Sequence, residues 1–474
     1  MNQGQLMERL TQFNPWWAGA GWERTDPDLE SLVGAPFRYE PAPLHDISPD
    51  GLYLLRGPRR VGKSVEVKRA ISRLIATGVN PRSIIHFACN GLSMAEIQNL
   101  VRAAERLLRQ LDSPRYWFFD EITAAKPEWT DAVAALRDTN SSFKRDCVVL
   151  TGSSTRNLDV AVKALADRRG QRILGDDRVL LPMGFRSFCR LVEPERDFPG
   201  FEPLPPREFA KTSWRTLAYE LVPFLDDLVG LWELYLTVGG FPRAVWDYLV
   251  DGRVNPNFVQ GLWQVVYGEA LRVKSYPALQ IQRMLSELAA RLTAPTNFTQ
   301  LAEDCGFADH SVATDRCDDL VAAYMLWPCY KIGPANLPRL NAQRKFYFYD
   351  PLLARLANLL DERNRAPGFD ALSEQQLGLL LLKASESEPV APFVDYSKLM
   401  FMTTPSRSEI DFVGPAIEPA VFESKYIDSK KTAATATITA QKLPGIMASR
   451  AYFDPEASVP WLPTALLAWM IERS

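Results

Sequence analysis

A phosphate-binding loop is the strongest chemical signal in the sequence. The segment GPRRVGKS, Gly57 to Ser64, fits the pattern G-x-x-x-x-G-K-[S/T]. A short apolar run, Leu52 to Leu55, precedes it, and apolar residues on a 3.6-residue period follow it to Ala76. The pattern therefore predicts a strand, a loop and a helix. Glycine lets backbone N–H groups approach phosphate oxygens, and the helix N-terminus adds a positive dipole end.

The residues of this loop have separate predicted roles. Lys63 would reach the β- and γ-phosphates of ATP, and Ser64 would bind Mg²⁺ through its hydroxyl. The other expected nucleotide-binding residues are Gly57, Pro58, Arg59, Arg60, Val61, Gly62 and Val65. ATP and Mg²⁺ are therefore the expected cofactors.

A pair of carboxylates predicts the hydrolytic half of the same site. Asp120 and Glu121 end the apolar run YWFFDE, and open α/β sheets bind ligands at the carboxyl ends of such strands. Asp120 would hold Mg²⁺, mostly through water, and Glu121 would orient the water that attacks the γ-phosphate. The next strand ends in Thr151, with Ser153 two residues on, and either hydroxyl could sense the γ-phosphate or position the water. A simple strand-ending turn is the alternative for these two residues.

The pattern around these motifs indicates the fold class. Short apolar runs alternate with helical patterns through SIIHFA, YWFFDE, CVVLTG and RVLLP, which predicts an α/β domain with a parallel sheet. The formal net charge of −3 excludes a globally basic nucleic-acid coat but permits a local basic face. The six cysteines form no C-x-x-C pair, so we expect reduced thiols in a cytoplasmic protein and no zinc site. No run is long and apolar enough for a membrane span.

Six segments together resemble a known family. RGPRRVGKS, FFDEI, LTGSSTRNL, ALADRRGQR, LLPMGFRSF and LYLTVGGFPRAV occur in the order seen in a widespread prokaryotic family of AAA-type (AAA+) ATPases. In that family the ATPase core precedes a C-terminal region long described as a domain of unknown function. The resemblance implies an additional-strand AAA core, a helical lid and assembly into homo-oligomers.

The resemblance also assigns two arginines. By position Arg168 resembles the arginine finger that enters the neighbouring subunit's site and stabilises transition-state charge. This chain has Asp167 where the family usually has glycine, so Arg169, Arg172 or a set of surface-paired arginines remain alternatives. In VGGFPRAV, the family's lid turn, Arg243 is a weaker phosphate-sensing candidate.

The C-terminal half contains a predicted winged helix. Residues 296–330 read as helix, a turn at Gly306, helix, and then a strand pair that ends at KFYFYD. A DNA-reading winged helix carries Lys or Arg on its second helix, whereas this segment sets Arg316 among several aspartates. That acidic character favours a protein-binding or structural role for this helix over DNA reading.

The last segment predicts a restriction-endonuclease-like domain. Asp411 lies on one short strand, and Glu423 and Lys425 lie two residues apart on the next, so both point to one sheet face. The two acids could bind Mg²⁺ while Lys425 assists a nucleophilic water, and Glu374 resembles the acid that many such folds supply from a preceding helix. A salt-bridged hairpin in an inactive nuclease-like fold is the alternative.

These patterns give five predicted segments. They are an N-terminal extension (1–45), an AAA+ core (46–190), a helical lid (191–284), a winged helix (285–350) and a nuclease-like α/β domain (351–474). The expected function is an ATP-hydrolysing, oligomeric motor that binds or remodels DNA, including branched DNA. A nucleotide-gated protein-interaction switch in stress or defence and an ATP-dependent nuclease are the alternatives.

Overall fold

The computed structural model describes residues 8, 10–111, 114–125, 129–153, 177–270, 276–385 and 395–472. The chain divides into two compact units, which are Met1–Leu181 with Ala322–Tyr324, and Pro182–Val321 with Met325–Ser474. Each unit contains one β-sheet. All six cysteines are buried, and no helix among the described residues has the length and apolarity to cross a membrane.

Strands and helices alternate along the first unit. The strands are β1 (Leu52–Arg56), β2 (Ile84–Ala88), β3 (Tyr116–Asp120), β4 (Cys147–Gly152) and β5 (Asp177–Val179). The helices are α1 (Pro27–Glu30), α2 (Lys63–Ala76), α3 (Met94–Leu107), α4 (Trp129–Thr139) and α5 (Ser141–Arg145). A capping box between Ser93 and Glu96 starts α3, and Asn140 caps α5.

The first sheet has five strands in the order β2-β3-β4-β1-β5, and every paired strand in it is parallel. This confirms the predicted parallel-sheet α/β core. Strand β4 lies between β1, which leads into the phosphate loop, and β3, which ends in Asp120. That insertion is the additional-strand arrangement, and it brings the carboxyl ends of β1, β3 and β4 to one edge of the sheet.

The N-terminal extension is hydrogen-bonded to the edge strand of this sheet. The side-chain amide of Asn14 accepts from the backbone N–H of His86 at 2.6 Å and donates to its carbonyl at 3.3 Å. The indole N–H groups of Trp16 and Trp17 both donate to the carbonyl of Ile84, at 3.0 and 2.9 Å. These side chains satisfy backbone hydrogen-bonding groups of β2, whose outer edge could otherwise pair with another strand.

The second unit is a mixed α/β structure. Its helices are α6 (Phe185–Val192), α7 (Trp214–Leu221), α8 (Leu225–Val238), α9 (Pro242–Asp251), α10 (Pro256–Ala270), α11 (Ala278–Ala290), α12 (Phe298–Cys305), α13 (His310–Ala322), α14 (Pro351–Leu360), α15 (Phe369–Ser385), α16 (Ala436–Gln441) and α17 (Thr464–Ile471). Its strands are β6 (Leu326–Lys331), β7 (Lys345–Phe348), β8 (Met400–Thr403), β9 (Glu409–Val413), β10 (Val421–Ser424), β11 (Gly445–Ser449) and β12 (Trp461–Pro463).

The second sheet is mixed, with the order β12-β11-β10-β9-β8-β6-β7. Strand β6 pairs antiparallel with β7 through Leu326 to Cys329, and then parallel with β8 through Tyr330 and Lys331. The hairpin β6–β7 follows helices α12 and α13 directly. This is the helix–turn–helix and strand-pair order that the sequence predicts for residues 285–350.

Close backbone approach explains the glycine pair between α8 and α9. A Cβ on Gly240 would lie 2.0 Å from the carbonyl oxygen of Met183, and a Cβ on Gly239 would lie 2.2 Å from a carboxylate oxygen of Asp350. The backbone N–H of Gly240 donates to the Asp350 carboxylate at 2.7 Å. Larger residues would separate these segments.

Candidate functional site

The phosphate loop connects β1 to the N-terminus of α2 through backbone conformations that favour glycine. Gly57 has φ +142° and Gly62 has φ +100°, while Arg60 has φ +69°. A Cβ on Gly57 would lie 1.9 Å from the carbonyl oxygen of Leu180, which is a backbone atom that cannot rotate away. The loop geometry therefore depends on Gly57 for both torsional and steric reasons.

We expect Gly57→Ala to abolish ATP binding, because the clash with Leu180 must displace the loop. The matched control is Gly78→Ala, where φ is +92° but nothing lies within 4 Å of the new Cβ. That control carries only the left-handed backbone cost of about 1–2 kcal/mol. Binding of a fluorescent ATP analogue and thermal unfolding measure the two effects, and equal behaviour of the two variants would contradict the steric role of Gly57.

Lys63 lies at the centre of the site. Its ammonium donates to the carbonyl oxygens of Gly57 and Pro58, both at 2.9 Å, and lies 3.8 Å from a carboxylate oxygen of Glu121. The side chain is only 4% exposed. A buried cation between the loop and the acidic strand end is suited to hold a phosphate group.

Two hydroxyls and one carboxylate join the loop to the ends of β3 and β4. Ser64 Oγ donates to Asp120 Oδ2 at 2.9 Å, and Thr151 Oγ1 donates to Asp120 Oδ1. Thr151 Oγ1 also accepts from the backbone N–H of Glu121 at 2.9 Å. Thr151 therefore hydrogen-bonds to both acidic residues at this edge of the sheet.

The Asp120 carboxylate is ionised at neutral pH. Burial raises its pKa, but nearby His86 and the hydroxyls of Thr151 and Ser64 outweigh that effect and lower the pKa to about 2. His86 Nε2 lies 4.0 Å from Asp120 Oδ2. Sequence reasoning missed His86, although its place near the carboxyl end of the strand before β3 is a usable signal. An ionised carboxylate beside a serine hydroxyl offers the oxygen ligands that Mg²⁺ prefers.

Glu121 occupies a strained backbone conformation. Its φ of +51° and ψ of +46° lie in the left-handed region, which a non-glycine residue adopts at a cost. Its side chain accepts from Ser153 Oγ at 3.4 Å, and Ser153 Oγ in turn accepts from Arg59 Nε at 3.3 Å. The turn directs the carboxylate towards Lys63 instead of continuing the strand.

Comparison with known families identifies this region. A family described as "AAA domain" matches residues 50–189, which include the phosphate loop, β3, β4 and both acids. Residues 50–189 are an AAA domain. With the loop, lysine and paired acids in one site, the protein is an ATP-hydrolysing enzyme.

A second family, a domain of unknown function (DUF8612), matches residues 229–364. No curated protein matches the chain. Solved structures to which the chain is similar include the Walker-type ATPase PABY2304 of Pyrococcus abyssi, with 14% identity, a TM-score of 0.40, and coverage of 71% of this chain and 95% of its own. The Aeropyrum pernix ORC1 protein in complex with DNA has 16% identity and a TM-score of 0.29, covering 73% of this chain and 96% of its own. The Thermotoga maritima RuvB Holliday junction branch migration motor has 14% identity and a TM-score of 0.29, covering 70% and 90%.

Of the two arginines assigned by the resemblance, the structure describes only one. Arg168 lies outside the described residues, as do its alternatives Arg169 and Arg172. Arg243 lies on α9, where its Nε donates to Asp247 at 2.7 Å and its guanidinium stacks on Trp246. Those contacts within one helix account for the position of Arg243 without a nucleotide.

The predicted nuclease-like residues also converge, within the second unit. The Asp411 carboxylate accepts from the backbone N–H of Ser424 at 2.9 Å, and the Glu423 carboxylate accepts from the backbone N–H of Asp411 at 3.3 Å. Lys425 forms an ion pair with Glu423 at 2.7 Å. Glu374, on α15, reaches the same cluster through a residue that the sequence analysis did not select, Lys345 on β7.

Lys345 supplies a buried cation to this cluster. Its ammonium contacts carboxylate oxygens of Glu374 at 3.2 Å, Glu409 at 2.6 Å and Asp411 at 3.4 Å, and its side chain is 0% exposed. Tyr347, two residues on and therefore on the same sheet face, donates to Glu374 at 2.6 Å. We name the group of Lys345, Glu374, Glu409, Asp411, Glu423 and Lys425 the lysine–carboxylate cluster.

Burial dominates the electrostatics of the lysine–carboxylate cluster. It raises the pKa of Glu374 to about 8 and that of Glu423 to about 7, with the Asp411 charge adding to both shifts. The three carboxylates outweigh the desolvation of Lys345 and raise its pKa well above the usual value. Among the described residues, no group of three or more His, Cys, Asp or Glu side chains is arranged to hold a metal ion.

Proposed function

We propose that this protein is an oligomeric, ATP-driven motor that binds or remodels DNA, including branched DNA. The observation that carries the ATP-driven part is the shared position of Ser64, Asp120, Glu121 and Thr151 at one sheet edge beside Lys63. In this proposal Ser64 and Asp120 would hold Mg²⁺, which would supply positive charge to neutralise the phosphates. Lys63 binds the phosphates, and Glu121 accepts a hydrogen bond from the attacking water and orients it.

Oligomerisation and a finger acting between subunits belong to the same proposal. The resemblance of ALADRRGQR to the family segment supports Arg168 as the residue that enters a neighbouring site. Such an arginine contributes roughly 10³ to 10⁵ to the turnover rate when it is supplied by another subunit. Arg169 and Arg172 are the alternatives for the same role.

The arrangement of α12, α13 and the β6–β7 hairpin supports a winged-helix element and, through it, DNA as a partner. A helix that reads DNA presents basic side chains at its surface. On α13, however, Arg316 is buried and its guanidinium pairs with Asp319 at 2.6 Å, so its charge is not available to phosphates. This observation favours another surface of the protein for the main DNA contact.

The same observation supports a second candidate function, a nucleotide-gated protein-interaction switch. With Arg316 buried, the exposed part of α13 carries Ser311 and Asp315, while Asp318 is half-buried and pairs with Arg344 at 2.8 Å. A neutral to acidic helix surface is suited to bind a protein partner. In this alternative the ATPase changes the affinity for that partner and not for DNA.

DNA-stimulated ATP turnover separates the two functions. We expect duplex or four-way branched DNA to raise the turnover rate at low ionic strength, because a motor couples DNA engagement to hydrolysis. Phosphate release would be measured with duplex, single-stranded and branched DNA, and with Lys63→Ala protein as the control for contaminating ATPases. A turnover rate that no DNA changes would contradict the motor and favour the switch.

For the C-terminal segment we propose a restriction-endonuclease-like domain that binds and does not cut. The support is Lys345, whose ammonium contacts carboxylate oxygens of Glu374, Glu409 and Asp411, and Lys425, which is paired with Glu423. A nuclease needs the acids for Mg²⁺ and the lysine for the attacking water. The ATP-dependent nuclease is therefore the less favoured alternative.

A further inference from the structure

We propose that a cleft on the AAA domain, at the opposite edge of its sheet from the phosphate loop, binds the phosphate backbone of nucleic acid. The cleft has a volume of about 620 Å³. Five arginines line it, and we name it the arginine cleft; they are Arg102, Arg106, Arg109, Arg115 and Arg145. Among the described residues, the lining carboxylates are Glu105 and Asp146, so five positive charges face two negative ones in a protein whose formal net charge is −3.

The topology of the sheet fixes the location of the arginine cleft. Arg115 immediately precedes β3, and Asp146 immediately precedes β4, so both lie at the amino ends of parallel strands. The phosphate loop and Asp120 lie at the carboxyl ends. A five-residue strand is about 16 Å long, so a ligand in the cleft would not occupy the nucleotide site.

Four of the five arginines are exposed and form no ion pair with any described residue; they are Arg102, Arg106, Arg109 and Arg145. The helix dipole favours cations near the last turn of α3. It does not explain why arginines from three separate segments face one cleft, and the like charges of Arg102 and Arg106 at positions i and i+4 repel each other. A bound anion would remove that repulsion.

The floor of the cleft holds a guanidinium with unused hydrogen-bond donors. Arg115 has a side chain that is 9% exposed, and its guanidinium donates no hydrogen bond to any described residue. Its nearest carboxylate oxygens belong to Glu105 at 3.8 Å and Asp146 at 3.7 Å. Those carboxylates hydrogen-bond elsewhere, Glu105 to the Asn140 amide and Asp146 to the Trp117 indole and the Arg115 backbone N–H. A buried guanidinium in this state is suited to a phosphate oxygen, which its planar fork can bind through two N–H groups.

The spacing of the arginines fits a repeating polyanion. Arg102 and Arg106 lie one turn apart on α3, about 6 Å along the helix axis, and Arg109 follows in the turn that ends the helix. A DNA strand carries one phosphate per about 3.4 Å of duplex axis, so the row can neutralise several consecutive phosphates. This choice of ligand rests on the proposed DNA function, while the anion-binding character rests on the cleft alone.

The test is DNA binding in the absence of ATP turnover, measured by fluorescence anisotropy of a labelled duplex over a series of salt concentrations. The test variant is Arg102→Gln with Arg106→Gln, and glutamine keeps the helix propensity. The control is Arg24→Gln with Arg82→Gln, which removes the same charge from two exposed arginines of the same unit outside the cleft. We expect the slope of log affinity against log salt to become shallower by about 1.8 in the test variant, at about 0.9 per lost phosphate contact, and to be unchanged in the control.

Further variants and probes keep the outcome interpretable. Retained binding of a fluorescent ATP analogue checks that the test variant is folded. Arg145→Gln alone should make the salt slope shallower by about 0.9. Arg102→Lys with Arg106→Lys should keep the slope but lower the affinity, because the charge remains and the planar fork is lost.

Equal slopes in test and control variants, or no binding of the wild-type protein to DNA at low salt, would overturn the proposal. Arginine-dependent binding of polyglutamate in place of DNA would assign the cleft to an acidic protein. Arginine-dependent DNA binding without DNA-stimulated turnover would overturn the motor and leave the arginine cleft in place.

Discussion

Glu121→Gln is expected to bind ATP as tightly as the unmodified protein and to hydrolyse it about 10²- to 10⁴-fold more slowly, the range for loss of a positioned general base. The amide preserves the size of the side chain and the acceptor for Ser153, but it cannot take up a proton from the attacking water. The left-handed backbone at Glu121 and the hydrogen bond from its N–H to Thr151 do not depend on the carboxylate. The fold around the site should therefore survive the change.

Lys63→Ala should be defective in ATP binding, the step before hydrolysis. It removes a buried ammonium that lies between the phosphate loop and Glu121, so the phosphates lose their main cationic partner and ATP affinity falls. Ser153→Ala is the milder comparison, because it removes one 3.4 Å hydrogen bond to Glu121 and leaves the carboxylate. Equilibrium binding of a fluorescent ATP analogue and phosphate release measure the two steps separately. Wild-type turnover in Glu121→Gln would remove Glu121 from the catalytic role.

The nucleotide site was predictable because its signals are local. The phosphate loop, its flanking strand and helix, and the acid pair that ends β3 are each read from one short segment, and the parallel order follows from their alternation. The position of Thr151 at the end of β4 was likewise read from one segment. Its link to Asp120 and Glu121 depends on β4 lying next to β3, which a single segment does not specify.

The lysine–carboxylate cluster shows where the sequence became insufficient. Asp411, Glu423 and Lys425 were found because their spacing places them on one hairpin. Lys345 lies 66 residues from Asp411 along the chain and follows no nuclease pattern, so nothing local connects it to the acids. The alternation of Lys345 and Tyr347 on β7 indicates a shared face, but not the carboxylates that this face meets. The ammonium of Lys345, supplied by β7, therefore changes the chemistry expected of the four predicted nuclease-like residues.

The largest effect on stability is expected for Lys345→Met. Methionine keeps most of the apolar stem but removes the ammonium, which leaves Glu374, Glu409 and Asp411 without their shared cation in a buried site. Removing one partner of a buried ion pair typically costs about 3–5 kcal/mol. Hydrogen exchange of peptides from β7, β9 and β10, followed by mass spectrometry, would report the loss in this part of the second unit.

Lys425→Met is the matched control for that substitution. It removes the same type of charge from the same cluster, but Lys425 is 40% exposed and contacts Glu423 alone among the ion pairs of the described residues. A partly solvated pair of this kind contributes about 1 kcal/mol or less. Equal losses for the two variants would contradict the central role of Lys345.

The pH dependence provides a second, independent measurement. The pKa of Glu374, at about 8, lies above the ordinary value of 4.5, so the folded protein binds this proton more tightly than the unfolded chain. The contribution of Glu374 to the free energy of unfolding is therefore greatest below pH 4.5 and is lost as pH rises to about 8. Glu423, whose pKa is raised to about 7, acts in the same direction over a narrower range. Glu374→Gln should flatten this dependence while keeping the Tyr347 and Lys345 contacts to the side-chain oxygen.

The same linkage predicts how Lys345→Met responds to acid. Protonated carboxyl groups do not need a cation, so the destabilisation caused by losing Lys345 should shrink as pH falls towards 4 and grow as pH rises to 8.

Addition of a divalent metal ion distinguishes this structural cluster from an active nuclease site. If the ammonium of Lys345 takes the place of a metal ion, Mg²⁺ should neither stabilise the wild-type second unit nor promote DNA cleavage. Mg²⁺-dependent cleavage by the wild-type protein that Asp411→Ala abolishes would mean that Lys345 leaves the acids during catalysis, and the structural role would have to be abandoned.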